Sequence, residues 1–314
     1  MQAIAIAEKF MVTIIKNQEV DRMQKIIPHL WYDKEALEAA TWYTVLFEDS
    51  KIIQTSIISD TPSGDAQTVD FQLAGMKFCA ISAGPYFSLN PSISLMVACA
   101  SPEEVDRLHS SLSEGGIELM PLGEYPFSKR YAWVQDKYGL SWQLMLVDSD
   151  KEQQRIRMSL LFGGEACGKA EEALDYYASV FEGAEKGYVN YYQKGEVPEE
   201  RAVINYSELN VEGNQVVIMD HGMGGDFTFN EAFSLMVSCK DQEEIDYFWE
   251  KLSFVSESEQ CGWVKDQFGL SWQIVPECMD EIMEGTTEDG RKRVMDALLK
   301  MKKLDIAALE KAGK

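Results

Sequence analysis

The octapeptide DKYGLSWQ at residues 136–143 returns as DQFGLSWQ at 266–273, with six of its eight letters kept. Self-similarity on this scale decides architecture before local propensity does. The likeness reaches well beyond these segments. WYTVLF (42–47) matches YYASVF (176–181), and SLMVACASPEEVDRL (94–108) matches SLMVSCKDQEEIDYF (234–248). VDFQLAGMKFCAISAG (69–84) resembles the stretch ending VEGNQVVIMDHG (211–222), with Gly75 opposite Gly213. The offset climbs from 134 through 138 to 140 and then falls to 130 at the octapeptide. The first copy therefore carries about ten extra residues, in EGGIELMPLGEYPFSK, where the second has the shorter FVSESEQ. Order is kept and the length difference falls between periodic segments, as in a duplicated fold.

Residues 23–148 and 152–277 are thus expected to be two copies of one domain, joined by a short polar link. Residues 1–22 read as an extension upstream of a natural start at Met23, forming a loosely held helix or strand. Residues 278–314 form a tail in which Val294, Leu298, Met301, Leu304 and Ala308 recur at helical intervals, predicting one or two helices that dock on the body or on a second copy.

Within a copy the periods alternate. KIIPHLWYD (25–33) reads as a strand, and KEALEAATWYTVLF (34–47) sets Ala36, Ala40, Tyr43 and Phe47 on one helical face. Two or three strands follow through residue 82, then a strand at 92–100 and a helix at 101–114. Ser101, Pro102 and Glu104 make a capping-box start for that helix, and Asp241 and Glu244 take the same places in the second copy. Each domain is therefore β-α-β-β-β twice over. This is an α+β fold of curved, mixed sheets with helices on the outer face and a trough on the other.

The net charge of −23 opposes phosphate backbones and anionic lipid, so neither nucleic acid nor a membrane surface is expected as a partner. The six cysteines form no CxxC pair and lie in apolar surroundings, which suits buried thiols in a reducing cytoplasm. No P-loop and no G-x-S-x-G occurs, and the glycine-rich segments 163–168 and 222–225 lack G-x-G-x-x-G order.

HLWYD with the EALEAATWY helix, the SLMV strand, the EE-[VI]-D helix and GLSWQ together resemble the vicinal oxygen chelate superfamily of glyoxalases, bleomycin-resistance proteins and extradiol dioxygenases. The closer likeness is to its PhnB-like, demethylubiquinone methyltransferase-like branch, over roughly residues 23–277. The resemblance implies tandem glyoxalase-like domains packed as an internal pseudo-dimer. It also implies ligand-facing positions on the first strand of each module and on the last strand.

Those positions hold His29, Ser94 and Gln143 in domain one, and Ser159, Ser234 and Gln273 in domain two. Alternation sets Ser94 and Met96 opposite Ile93, Leu95 and Val97, and Ser234 and Met236 opposite Phe233, Leu235 and Val237. Trp31, Trp133 and Trp263 are candidate trough walls, although aromatics placed as Trp133 and Trp263 are more often core. Gln143 and Gln273 have the alternative of hydrogen-bonding only across the trough or to backbone, and His29 that of a satisfied core or rim histidine. Neutral hydroxyl and amide oxygens are weak ligands for zinc or iron, so neither a metal nor another cofactor is expected. The leading expectation is a metal-independent small-molecule binding protein with a site in the trough of each domain. The alternatives are a divalent-metal enzyme of glyoxalase or dioxygenase type, with His29 and Gln143 facing across the domain-one trough, and a structural dimerisation scaffold whose troughs are filled.

Overall fold

The computed structural model describes residues 24–61, 64–148 and 154–314, so the expected extension at 1–22 lies outside the described residues. In the first copy, β1 (Ile26–Tyr32) leads into α1 (Ala36–Leu46), followed by β2 (Lys51–Thr61), β3 (Gly64–Leu73) and β4 (Met76–Ser82). The second module runs β5 (Ile93–Cys99), α2 (Pro102–Leu112), β6 (Ile117–Tyr125), β7 (Ser128–Gln135) and β8 (Ser141–Leu146). The second copy repeats the order with β9 (Ile156–Phe162), α3 (Ala170–Val180), β10 (Glu185–Tyr191), β11 (Ile204–Val211) and β12 (Asn214–Asp220). It continues with β13 (Phe233–Cys239), α4 (Gln242–Leu252), β14 (Trp263–Lys265) and β15 (Ser271–Pro276).

The predicted caps form. Ser101 Oγ accepts from the Glu104 N–H, and Asp241 Oδ1 from the Glu244 N–H. The glutamates reach back to the backbone N–H groups of Ala100 and Lys240. The aligned glycines also find their reason. Ala74–Gly75 and Glu212–Gly213 turn β3 into β4 and β11 into β12, with φ positive at all four residues. Two successive positive-φ residues make the hairpin turn that matches strand twist, and glycine takes that conformation without strain.

The strands do not pair as the domains predict. One sheet, called A here, runs β14-β15-β13-β1-β4-β3-β2, and the other, sheet B, runs β10-β11-β12-β9-β5-β8-β7-β6. Sheet A thus joins the first module of copy one to the second module of copy two, and sheet B joins the remaining two modules. The seams are antiparallel, with His29 opposite Ser234 between β1 and β13 and Ser94 opposite Ser159 between β5 and β9. The expected sheet within each domain is therefore corrected: each trough belongs to both copies. The ten-residue excess of copy one is the edge strand β6, where copy two has only a turn at 256–258 before β14.

Helices α1 to α4 cover the outer faces, and the apolar residues beneath them form one continuous core across both sheets. All six cysteines are free thiols. Among the described residues no helix is long and apolar enough to cross a membrane. The tail forms α5 (Met279–Glu284), α6 (Glu288–Leu298) and α7 (Ile306–Gly313). It docks on copy two through buried Val294, Leu304 and Leu309, with Val275 of β15 packed against them. The N–H groups of Cys261 and Gly262 donate to the Met301 and Lys302 carbonyls, which ties the tail to the start of β14. Leu304 lies in the link between helices rather than on one. Leu309, not Ala308, takes the fully buried place.

Candidate functional site

The repeated octapeptide builds a turn rather than a ligand site. Asp136 is buried, and its Oδ1 accepts the N–H groups of Tyr138 and Leu140. Its Oδ2 accepts the Tyr43 hydroxyl and the Trp142 indole N–H, both at 2.8 Å. Asp266 repeats every contact, with Phe268, Leu270, Tyr177 and Trp272. Gly139 and Gly269 supply the positive φ that closes each turn. Burial raises both carboxyls above their ordinary range, and the four donors around each oppose that shift. The turn pins the last strand of each copy to its first helix, and so sets the height at which Gln143 and Gln273 stand.

Those glutamines sit on the concave face, away from Trp142 and Trp272. In sheet B, Gln143 Nε2 donates to Ser94 Oγ at 2.6 Å and to Ser159 Oγ at 3.4 Å. Its Oε1 accepts the Tyr131 hydroxyl at 2.8 Å. Trp133 Nε1 donates to Ser141 Oγ at 2.7 Å. Beside this group, Arg157 is 2% exposed, with one nitrogen 3.6 Å from Met96 Sδ and another 4.0 Å from the Glu208 carboxylate. The glutamine, serines and tyrosine of this floor are paired with one another.

In sheet A, Gln273 Nε2 donates to Ser234 Oγ at 2.9 Å, and Ser234 Oγ lies 3.4 Å from His29 Nδ1. His29 and Gln273 are only 5% and 7% exposed, which makes them a floor rather than a rim. Burial lowers the His29 imidazole to about 4, so it is neutral near pH 7. The Trp263 ring meets His29 edge-on at 5.5 Å and Trp31 at 6.5 Å. Trp31 donates its indole N–H to the Gly84 carbonyl and packs on Phe87. Met236 stands in register with Gln273 on the neighbouring strand, half-buried.

The structure thus assembles the ten predicted positions as two groups: His29, Trp31, Ser234, Met236, Trp263 and Gln273 in sheet A, and Ser94, Met96, Trp133 and Gln143 in sheet B. The expected His29–Gln143 pair is separated, because cross-copy strand pairing puts the two residues on different sheets. Sequence reasoning passed over Asp136 and Asp266, although the octapeptide keeps the aspartate in both copies while its neighbour changes from Lys137 to Gln267. It also passed over Arg157 and Tyr131, which no local pattern sets apart. The glycine-rich segments pack on one another, with the Gly164 N–H donating to the Gly225 carbonyl.

For a metal, the floor of sheet A offers one imidazole, a hydroxyl and an amide, and that of sheet B offers no imidazole. Among the described residues no three His, Cys, Asp or Glu side chains converge in a way that could hold a metal ion. The donor set does not fit a transition metal.

Residues 24–145 and 154–275 each match the model of a family described as 3-demethylubiquinone-9 3-methyltransferase. Among solved structures, a PhnB protein from Bacillus cereus is 39% identical, over 40% of this chain and 100% of its own, with a TM-score of 0.37. A Staphylococcus aureus protein is 37% identical, over 39% of this chain and 96% of its own, with a TM-score of 0.17. Glyoxalase I from Zea mays is 12% identical, over 82% of this chain and 95% of its own, with a TM-score of 0.52, a likeness of fold alone. No curated protein matches the chain.

Proposed function

The chain belongs to the 3-demethylubiquinone-9 3-methyltransferase family, the PhnB-like branch of the glyoxalase-like superfamily, and from that premise we propose that it is a metal-independent small-molecule binding protein whose sites are the troughs between copies. The observation that carries this reading is the composition of each trough. A serine–glutamine pair floors it at the seam and an indole walls it, with Arg157 beside the floor in sheet B and His29 on the floor in sheet A. A few placed polar groups among apolar walls are the usual make-up of a small-ligand site. The donor chemistry of both floors speaks against metal-dependent catalysis. Methyl transfer in the sense of the family's description would need a nucleotide-like cofactor at the carboxyl ends of a parallel sheet. These sheets are mixed, and their glycine-rich segments pack against each other.

Thermal unfolding of the full chain against a set of small heteroaromatic compounds, with and without EDTA, tests the proposal. The expected result is compounds that raise the melting temperature equally in both conditions. Hits that require zinc, nickel or manganese, with stoichiometric metal lost in His29→Ala, would move the protein to the enzyme class. A set that yields no hits would favour the filled scaffold.

A further inference from the structure

The two troughs are built on one plan but finished differently. The registers fix the correspondence. Met96 faces Arg157 across the β5–β9 seam, and Met236 faces Ile27 across the β13–β1 seam. The place of the Arg157 guanidinium in sheet B is therefore taken by the Ile27 side chain in sheet A. Likewise YAWVQDKYGLSWQ aligns with CGWVKDQFGLSWQ, so Cys261 stands where Tyr131 would be. The phenol that satisfies Gln143 Oε1 has no counterpart for Gln273.

As a result, three polar atoms are left over in sheet A. Gln273 Oε1, His29 Nε2 and Trp263 Nε1 have no hydrogen-bond partner among the described residues, whereas Gln143 Oε1 and Trp133 Nε1 are both engaged. Two of the three belong to side chains more than nine-tenths buried. None of the three is fully enclosed, so each faces the open trough, where solvent or a ligand can serve it. The three also differ in kind. Gln273 Oε1 needs a donor, the Trp263 N–H needs an acceptor, and the imidazole can serve as either.

We propose that, of the two troughs, only that of sheet A takes a ligand, and that the ligand is a neutral, planar ring compound bearing a hydroxyl. This rests on the binding reading above and narrows it. A hydroxyl donates to Gln273 and accepts from Trp263 at once. Flat rings suit walls made of the Trp31 and Trp263 indoles. An anion would find Ile27 in place of the arginine, with Asp70 on the same face of the sheet. An ammonium has no acceptor to offer the Trp263 N–H.

Calorimetric titration of the full chain at pH 7 with 2-naphthol, 2-methoxynaphthalene, 2-naphthoate and 2-naphthylmethylammonium tests this. The expected result is one equivalent of 2-naphthol bound, with the ether and both ions at least about tenfold weaker, the size of one hydrogen bond. Gln273→Leu should weaken 2-naphthol about tenfold and leave the ether nearly unchanged. Trp263→Phe, which keeps an aromatic wall, should weaken 2-naphthol as well. Arg157→Met should leave 2-naphthol affinity as it is. Two equivalents, an ion that binds as well as 2-naphthol, or a loss in Arg157→Met in place of Gln273→Leu would overturn the assignment to sheet A and leave the binding reading standing. Absence of binding for all four compounds would overturn the binding reading itself.

Discussion

Asp136 holds the Trp142 indole N–H at 2.8 Å across a five-residue turn, and Asp266 holds Trp272 at the same distance in the other copy. An indole N–H can only donate, so an amide in place of the carboxylate sets donor against donor. Asp136→Asn and Asp266→Asn should each cost about 2–3 kcal/mol by leaving a buried N–H unpaired. Melting curves should fall by several degrees for each, and chemical denaturation should show the midpoint moving with little change in slope.

Tyr131→Phe tests the closed floor of sheet B. The phenol donates to Gln143 Oε1 there, and its loss leaves a buried carbonyl oxygen without that donor. A cost of about 1–2 kcal/mol is expected by equilibrium unfolding. Cys261→Ala, at the matching place in sheet A, should not show this loss, because no side chain among the described residues serves Gln273 Oε1.

The pH dependence of stability carries the signature of His29. Its folded value of about 4 lies below the ordinary 6.5, so as pH falls the unfolded chain takes the proton first. The contribution is whole above about pH 6.5 and is lost as pH falls toward 4, by about 3 kcal/mol in all. Urea unfolding of the wild type and His29→Gln at pH 7, 5 and 4 isolates it. The wild type should lose stability faster than the variant across this range, and parallel losses would sink the assignment.

The tail is part of the body's packing. Leu309 is fully buried and Val294 with it, while two backbone hydrogen bonds tie residues 301 and 302 to 261 and 262. Leu309→Ala should cost about 2–4 kcal/mol. Deleting 286–314 should lower the melting temperature further than Leu309→Ala alone. An unchanged melting temperature in the deletion would count against docking.

Much of this was legible in the residues. The repeat announced the duplication, the alternation in ISLMV put Ser94 on the concave face, and Ser101 and Asp241 marked their helices because caps act over three residues. Gln143 and Ser94 were both read as trough positions, but their pairing with Ser159 was not. Alternation assigns a face to a strand and says nothing about its neighbour in the sheet. Pairing β1 with β13 rather than with β5 of its own copy satisfies the same hydrophobic pattern, so the choice lies in long-range packing. Arg157 was missed for a related reason: its meaning comes from Met96 and Glu208, both more than fifty residues away in sequence.

The crossed seams have a consequence for how the two halves can change over time. A residue of β1 sits beside one of β13, and a residue of β5 beside one of β9, so each half supplies the other's mould. Neither half is at liberty to drift alone. A bulkier side chain accepted at Ile27 must be answered at Met236, over two hundred positions later, and not at Met96 in its own copy. The same arrangement is what let the floors diverge. Once both halves lie on one chain, the two troughs are no longer copies of each other, and a tyrosine could settle in one while a cysteine settled in the other. Duplication gave the molecule a spare trough, and the crossing of strands ties the spare to the rest of the structure.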